Sequence, residues 1–394
     1  MPLKIGLLGF EDPRSVKAYS GTPYHLAHFL REAGHEVRVC GPYPLRFYLA
    51  LRVVDKSLRM IAGKHIVFER HPLISRQYAG IVDRYAASNP DLDILLATSV
   101  HLVDKRKTTI PIFAWGDTTV AGVIGNYPYY TNITARMIAQ SHETEQRGLR
   151  ASDHIVFSSQ WAADIALRHY DIPADKVHVI NYGANVLRSP DRAEMVDILN
   201  RRVVGRYKVI LVGVDWVRKG VDKAIEIIGE LRKQGMAVTL QVVGCRPPSG
   251  VQVPDYVEVL GRVPKDTTEG ERRFYELLQS AHAFLLPTVA ECAAVSLAEA
   301  NAYGLPVVAS DVGGNGSLVS EGINGHLCAL NAPLSVWVET LRKVLGEPDA
   351  YRDQCLRAHA YYEKELNWRI AVQRFEQLVR ATTQKPGGVS EEAS

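Results

Sequence analysis

Cysteine is scarce and unpaired in this sequence: Cys40, Cys245, Cys292, Cys328 and Cys355 are the five in 394 positions, and no two share a C-x-x-C spacing. An odd, scattered set signals neither a disulfide framework nor a zinc site, and the expectation is reduced, packed thiols. Long apolar runs are missing as well. The stretch from Leu3 to Phe10 turns polar too soon for a secretory leader, and no segment has the ~20 apolar residues a membrane span needs, so a cytoplasmic protein is expected. An excess of one charge is also lacking: 46 Lys and Arg against 43 Asp and Glu give a net charge of +3, without a basic tract, which argues against nucleic acid as a partner. A G-x-G-x-x-G dinucleotide fingerprint is absent.

What is present is regular. A chain of 394 residues, 46% hydrophobic, exceeds what one core usually supports, so two domains are expected. Short apolar runs alternate with segments of helical period, the pattern of parallel sheets covered by helices on both faces. Strands are predicted at 4–10, 35–41, 65–69, 92–99, 110–115, 153–159 and 176–182, and the pattern restarts at 207–214, 238–244, 257–262, 283–288 and 306–310. Between the two series lies the polar stretch 183–206. The fold class that follows is α/β, with two doubly wound, Rossmann-like domains at 1–190 and 200–365 facing across a cleft. Strands stop after about residue 330, a helix is expected at 366–383, and the small polar tail 384–394 is expected to be disordered.

Open doubly wound sheets bind ligands beyond the carboxyl ends of their strands, so residues that follow strands carry the functional expectations. The stretch PTVAECAAVSLAEANAYGLPVVAS, 287–310, reads as strand end, loop, short helix and next strand, and sets Glu291 and Glu299 eight positions apart. Ser296 and Glu299 fit a capping box closed by Gly304 and Pro306, which by itself accounts for Glu299. Glu291 has no such duty. It lies beside a helix N-terminus whose free N–H groups suit an anion, whereas a carboxylate suits hydroxyls, and a phosphorylated sugar offers both.

Arg218 and Lys219 follow the strand at 207–214 and open the next helix, with Gly220 permitting close backbone approach. Two cations there oppose the helix dipole unless an anion arrives. A solvated pair on a turn is the bland reading; a diphosphate clamp is the preferred one, each charge-assisted contact contributing about 1.5–3 kcal/mol. In YSGTPYHLAHFLREAGHEV, Thr22 and Pro23 suit an N-cap and first turn, and Gly21 either makes a plain turn or lets a phosphate or sugar come close. Asp117 directly follows the strand at 110–115 and His101 ends another. An ionised Asp117 binds acceptor hydroxyls or takes a proton, unless it caps the next turn; for His101 a structural place is the competing reading.

Two further patterns mislead. Asp91-Leu92-Asp93 resembles a metal-binding D-x-D but precedes its strand, at the wrong end of the sheet, and His25 with His28 has metal spacing but no third ligand in view. In 47–61, Phe47, Leu51, Val54, Leu58 and Ile61 form one helical stripe with Arg52, Lys56 and Arg59 opposite. Docking of the stripe on the sheet is expected, and contact with anionic lipid or a lipid-linked acceptor through residues 45–61 is the alternative.

Together these motifs resemble the GT-B-fold glycosyltransferases of family 4, retaining sugar transferases that use nucleotide-sugar donors without a catalytic metal. The resemblance spans nearly the full chain: E-x7-E at Glu291 and Glu299, EANAYGLPVVASDVGG, SEGINGHL, Arg218-Lys219-Gly220, SGTPYHLAHFLREAGHEV, and a terminal N-W helix like those that return to the first domain. It implies that Glu299 binds the nucleotide ribose, that Glu291 contacts the transferred sugar, and that the backbone N–H groups of Ala294 and Val295 lie near sugar or phosphate. It further implies that Arg218 and Lys219 hold the diphosphate, approached by Gly21 and Thr22 from the first domain. Glu291-Cys292-Ala293-Ala294 departs from the E-G-F-G of many relatives, and Asp117 stands where many carry a histidine. The implied activity is metal-independent hexosyl transfer with retention, without a cofactor, from a nucleoside diphosphate sugar to a carbohydrate, lipid-linked or small-molecule acceptor. A catalytically silent nucleotide-sugar-binding protein or partner subunit, and a same-fold epimerase, are the alternatives.

Overall fold

The computed structural model describes residues 2–383 apart from 42, 44, 45 and 204. The expectation for the tail 384–394 lies outside the described residues. Among the described residues, twelve strands form two parallel sheets. The first sheet contains β1 (Lys4–Leu8), β2 (Glu36–Cys40), β3 (Ile94–Ala97), β4 (Ile112–Gly116), β5 (His154–Phe157) and β6 (Val177–Val179), in the spatial order β2-β1-β3-β4-β5-β6. The second contains β7 (Tyr207–Val212), β8 (Val238–Val243), β9 (Val257–Gly261), β10 (Ala283–Leu286), β11 (Val307–Asp311) and β12 (Gly325–Ala329), in the order β12-β11-β10-β7-β8-β9. Central strands such as β3 (ILLA) and β10 (AFLL) are buried at every residue, because helices cover both faces. The strand order reverses between β1 and β3 in one sheet and between β7 and β10 in the other. Ligands of such sheets bind at these reversals.

Two strand expectations are corrected. Residues 65–69 make only an isolated bridge, His65 with Ile133, and then a 3-10 turn at Phe68–Arg70. Ile66 and Val67 are apolar because they enter the core beneath the first sheet, and a short apolar run does not distinguish that from a strand. Conversely, β12 was not expected. It is an edge strand whose half-buried sequence GHLCA has no apolar run to announce it.

The link between the domains belongs by packing to the second. Ala184, Val186 and, from the helix Arg192–Arg201, Met195, Ile198 and Leu199 join the second core. That helix starts on a capping box between Asp191 and Glu194, and the guanidinium of Arg202 then donates to the carbonyls of Gln279 and Tyr303. The last helix, Trp368–Thr383, returns to the first domain, where Trp368, Ala371, Val372, Phe375 and Val379 pack with Phe113, Trp115 and Tyr182. The Phe375 ring stacks on Trp115 at 5.4 Å, and Trp368 Nε1 donates to Asn185 Oδ1 at 2.9 Å.

The helix Tyr48–Ala62 does not dock as expected. Of the stripe, Leu51 is buried and Leu58 half-buried, whereas Val54 and Ile61 are 50% and 87% exposed. What anchors the helix is polar: buried Asp55 accepts from the Ile66 N–H at 2.8 Å and from Arg59 Nε at 2.7 Å. Among the described residues no helix is long and apolar enough to cross a membrane.

Candidate functional site

A cavity of about 680 Å³ opens between the domains at the carboxyl ends of both sheets. Its second-domain wall is built where the strand order reverses. The loop after β7 turns into the helix Val221–Lys233 through Gly220, which has φ 68° and lies so close to the chain that a Cβ would meet the Pro287 carbonyl oxygen at 1.9 Å. Only glycine satisfies both conditions. The loop after β10 is stapled to this turn: the Arg218 carbonyl accepts from the Val289 N–H at 2.9 Å and from Thr288 Oγ1 at 2.8 Å.

On that scaffold Glu291 Oε1 accepts from Lys219 Nζ at 2.6 Å, Arg218 Nη1 at 3.0 Å and Thr288 Oγ1 at 3.0 Å. The two cations expected to wait for an anion therefore already share a carboxylate, and one net positive charge remains among the three groups. All three side chains are nearly buried, at 14%, 10% and 7% exposure for Arg218, Lys219 and Glu291. The Tyr127 ring, from the first domain, covers the Arg218 guanidinium at 4.9 Å.

The capping box expected at Ser296 does not form. The helix Val295–Ala302 starts two residues earlier than expected, with Ala294 rather than Ser296 as N-cap and no side-chain capping bond. Glu299 thus sits past the third helical position, too far along to reach the cap, and its buried carboxylate accepts from Lys265 Nζ at 2.7 Å. Ala294 and Val295 line the cavity at that helix start.

The first-domain wall comes from the loop after β1, from Asp117 after β4, and from Tyr127, Tyr182 and Asn185. Tyr19, Ser20 and Gly21 all take left-handed φ values, 47°, 58° and 86°. Two of them are not glycine, and backbone strain of this kind concentrates at functional sites. The turn is held by Glu11 Oε2, which accepts from the Tyr19 N–H at 2.7 Å, and by Asn185 Nδ2, which donates to the Ser20 carbonyl at 3.0 Å and to Thr22 Oγ1 at 3.2 Å. Burial raises the pKa of Asp117, partly offset by a hydrogen bond with the Tyr19 side chain.

Of the residues singled out from sequence, Thr22, Asp117, Arg218, Lys219, Glu291, Ala294, Val295 and Glu299 share this cavity. Gly21 and His101 do not line it. The Gly21 carbonyl accepts from His25 Nδ1 at 2.9 Å, and Gly21 rather than Thr22 caps the helix Thr22–Glu32. His101 lines a smaller cavity behind Asp117. Lys265, Tyr19 and Tyr127 were missed: Lys265 follows β9 and was open to the rule used for the others, whereas nothing in the local sequence marks the two tyrosines. Asp91 pairs with Lys4 and Arg38, and Asp93 Oδ2 accepts from the Lys4 N–H, at the opposite end of the sheet. Among the described residues no group of three or more His, Cys, Asp or Glu is arranged to hold a metal.

Two doubly wound domains, joined by a returning helix and closing on a charged cleft at their strand ends, define the GT-B architecture. Solved structures share it. WaaG, a glycosyltransferase involved in lipopolysaccharide biosynthesis, has a TM-score of 0.61 at 18% identity over 97% of this chain and 100% of its own. The sucrose-phosphate synthase of Thermosynechococcus elongatus has 0.67 at 16%, over 96% and 99%, and Anabaena HepE in complex with UDP and glucose has 0.61 at 15%, over 96% and 100%. At these identities the likeness speaks to fold alone.

Residues 22–188 match Glycosyltransferase Family 4 and residues 206–346 match Glycosyl transferases group 1, and the chain belongs to the glycosyltransferases of the family 4 type. The D-inositol 3-phosphate glycosyltransferases of Corynebacterium diphtheriae and Nocardia farcinica are each 28% identical, over 59% and 55% of this chain. Those alignments span 57% and 50% of the relatives' own length, little more than half.

Proposed function

We propose that this chain transfers a hexosyl unit from a nucleoside diphosphate sugar to an acceptor hydroxyl, with retention of anomeric configuration and without a catalytic metal or other cofactor. The observation that carries this reading is the three-membered cluster of Arg218, Lys219 and Glu291 at the strand-order reversal, with the Glu299–Lys265 pair on the same wall. A diphosphate draws Arg218 and Lys219 toward itself and frees Glu291 to accept from hydroxyls of the sugar. Glu299 takes the ribose hydroxyls and the Ala294 N–H faces sugar or phosphate, whereas the Val295 N–H donates to the Ala293 carbonyl at 3.0 Å. As the glycosyl C–O bond to phosphate breaks, negative charge grows on the diphosphate beside the two cations it has drawn in, an electrostatic stabilisation that lowers the barrier. The acceptor oxygen forms the new C–O bond on the same face and passes its proton to the departing phosphate, with Asp117 orienting the acceptor from the opposite wall.

Anabaena HepE is seen in complex with UDP and glucose and with UDP-glucose, so UDP-sugars head the donors to test. Peripheral contact of a cytoplasmic protein with anionic lipid through residues 45–61 is supported by the helix Tyr48–Ala62, which leaves Leu49, Val53 and Met60 mostly exposed among Arg52, Lys56 and Arg59. The deciding experiment measures nucleoside diphosphate release from a panel of UDP-, GDP-, ADP- and dTDP-sugars with and without acceptors, and the product's anomeric configuration by NMR. Acceptor-dependent release with an inverted product sinks the retaining mechanism. Binding without release across the panel favours the catalytically silent alternative.

A further inference from the structure

Behind Asp117, inside the first domain, lies a second cavity of about 200 Å³ that shares Tyr19, Asp117, Tyr127 and Cys292 with the main cleft. A cavity of roughly 150 Å³ holds benzene, so one six-membered ring fits. It is not apolar. Four side-chain atoms of residues that line it, His101 Nε2, Arg70 Nε, Thr118 Oγ1 and Thr119 Oγ1, are buried without a hydrogen-bond partner. Buried polar atoms in native proteins are nearly always paired, so four orphans on residues around one cavity point to a ligand that pairs them. His101 is fixed to do so: it is 2% exposed, Ser99 Oγ meets its Nδ1 at 2.7 Å, and the Phe10 and Tyr78 rings flank it.

The charges decide what kind of ring. Arg70 is already paired with buried Glu145, whose other oxygen accepts from the Val120 N–H at 3.3 Å. Asp117 and Glu69 add carboxylates to the same wall, and burial followed by the Arg70 charge holds the His101 pKa well below the ordinary histidine value, so the imidazole is neutral. A phosphate or carboxylate entering here would lose its water and find no uncompensated cation. Hydroxyls, which both donate and accept, suit a neutral imidazole, a threonine and a guanidinium edge.

We propose that this cavity binds one uncharged, polyhydroxylated ring of the acceptor, held by His101 and Thr118, and rejects the phosphorylated form of that ring. Its assignment to the acceptor rests on the transferase reading above; the binding of a neutral polyol does not. Saturation-transfer NMR on the full chain, with UDP present and absent, would use methyl glucoside and myo-inositol as probes against glucose 6-phosphate and an inositol monophosphate. At least one neutral probe is expected to bind, at least tenfold tighter than its phosphate ester. His101→Ala and Thr118→Val should each weaken it at least tenfold while leaving the calorimetric Kd for UDP within twofold. Thr118→Val keeps the shape of the site should His101→Ala fail to fold. Equal or preferred binding of the esters, no binding of either neutral probe, or binding untouched by both variants overturns the proposal. Intact polyol binding without UDP binding would instead remove the donor site and leave this cavity standing.

Discussion

Lys219 Nζ lies 2.6 Å from Glu291 Oε1 although both residues come from different strand ends, 72 positions apart. This contact converts what would be two mutually repelling cations into a cluster poised between two partners, a carboxylate now and a diphosphate later. Lys219→Ala leaves Glu291 with Arg218 and Thr288, so the chain is expected to fold. Loss of one charge-assisted contact of about 1.5–3 kcal/mol corresponds to a drop of roughly 10- to 150-fold in affinity for the diphosphate. Calorimetric titration with UDP and a thermal melt check both halves; an unchanged Kd removes Lys219 from the donor site.

Glu299 offers a sharper test because its expected partner is a hydroxyl pair rather than a charge. The side chain now accepts from Lys265 Nζ at 2.7 Å, which holds it in the cleft wall. Glu299→Gln should weaken UDP binding about tenfold and leave the binding of 2′,3′-dideoxy-UDP nearly unchanged, since one hydrogen bond to a charged acceptor is lost only when the ribose hydroxyls are there to make it. Equal losses for both nucleotides would mean a structural role.

Asp117 predicts opposite effects on stability and function. Burial raises its folded-state pKa above the unfolded value, so the folded chain binds more protons than the unfolded one between those two values. The ionised carboxylate is therefore destabilising at neutral pH, and the penalty fades as pH falls toward the unfolded pKa. Asp117→Asn should raise Tm at pH 7, by ~2 °C or more, with the gain shrinking on acidification, while acceptor-dependent turnover falls at least tenfold. A variant less stable than the parent at neutral pH contradicts this account.

The parts of the molecule that were legible in sequence are those written in local pattern. Buried parallel strands such as ILLA and AFLL announce themselves, and the rule that ligands gather after strands led to Arg218, Lys219 and Glu291, though not to their mutual pairing. A capping box at Ser296 looked sufficient for Glu299 because a two-residue shift in helix start is invisible without the backbone. Lys265 was readable and overlooked. Tyr19 and Tyr127 were not readable: one is placed by consecutive left-handed residues, the other by a loop reaching across the cleft to Arg218, and both are set by tertiary contacts. The stripe at 47–61 had the right period and the wrong destination, since periodicity says which residues share a face and not what covers it.

Acid stability follows from two buried histidines. His25 and His282 have pKa values lowered to about 4, chiefly by burial, against an ordinary 6.5. The unfolded chain binds more protons than the folded one between pH 6.5 and about 4, so stability is full above 6.5 and is lost as pH falls through this window. The urea midpoint should decline steadily from pH 7 to pH 4, and His282→Gln, which can still accept from the Lys208 N–H and donate to the Val203 carbonyl, should flatten that decline. A midpoint independent of pH across the window excludes this linkage.

The exposed helix Tyr48–Ala62 yields the last prediction. Leu49, Val53, Met60 and Ile61 are 75%, 67%, 78% and 87% exposed, and Arg52, Lys56 and Arg59 lie among them, a combination that is costly in water and favourable at an anionic interface. Each basic residue near such a surface contributes about 1 kcal/mol, and apolar insertion adds to it. Sedimentation with vesicles containing phosphatidylserine should capture the chain at low salt, release most of it at 0.5 M salt, and leave it in solution with vesicles of phosphatidylcholine alone. Leu49→Glu combined with Ile61→Glu should reduce capture at least tenfold without lowering Tm, because both side chains are outside the core. Vesicle binding that ignores lipid charge, or that survives both substitutions, assigns the exposed face to something other than a membrane.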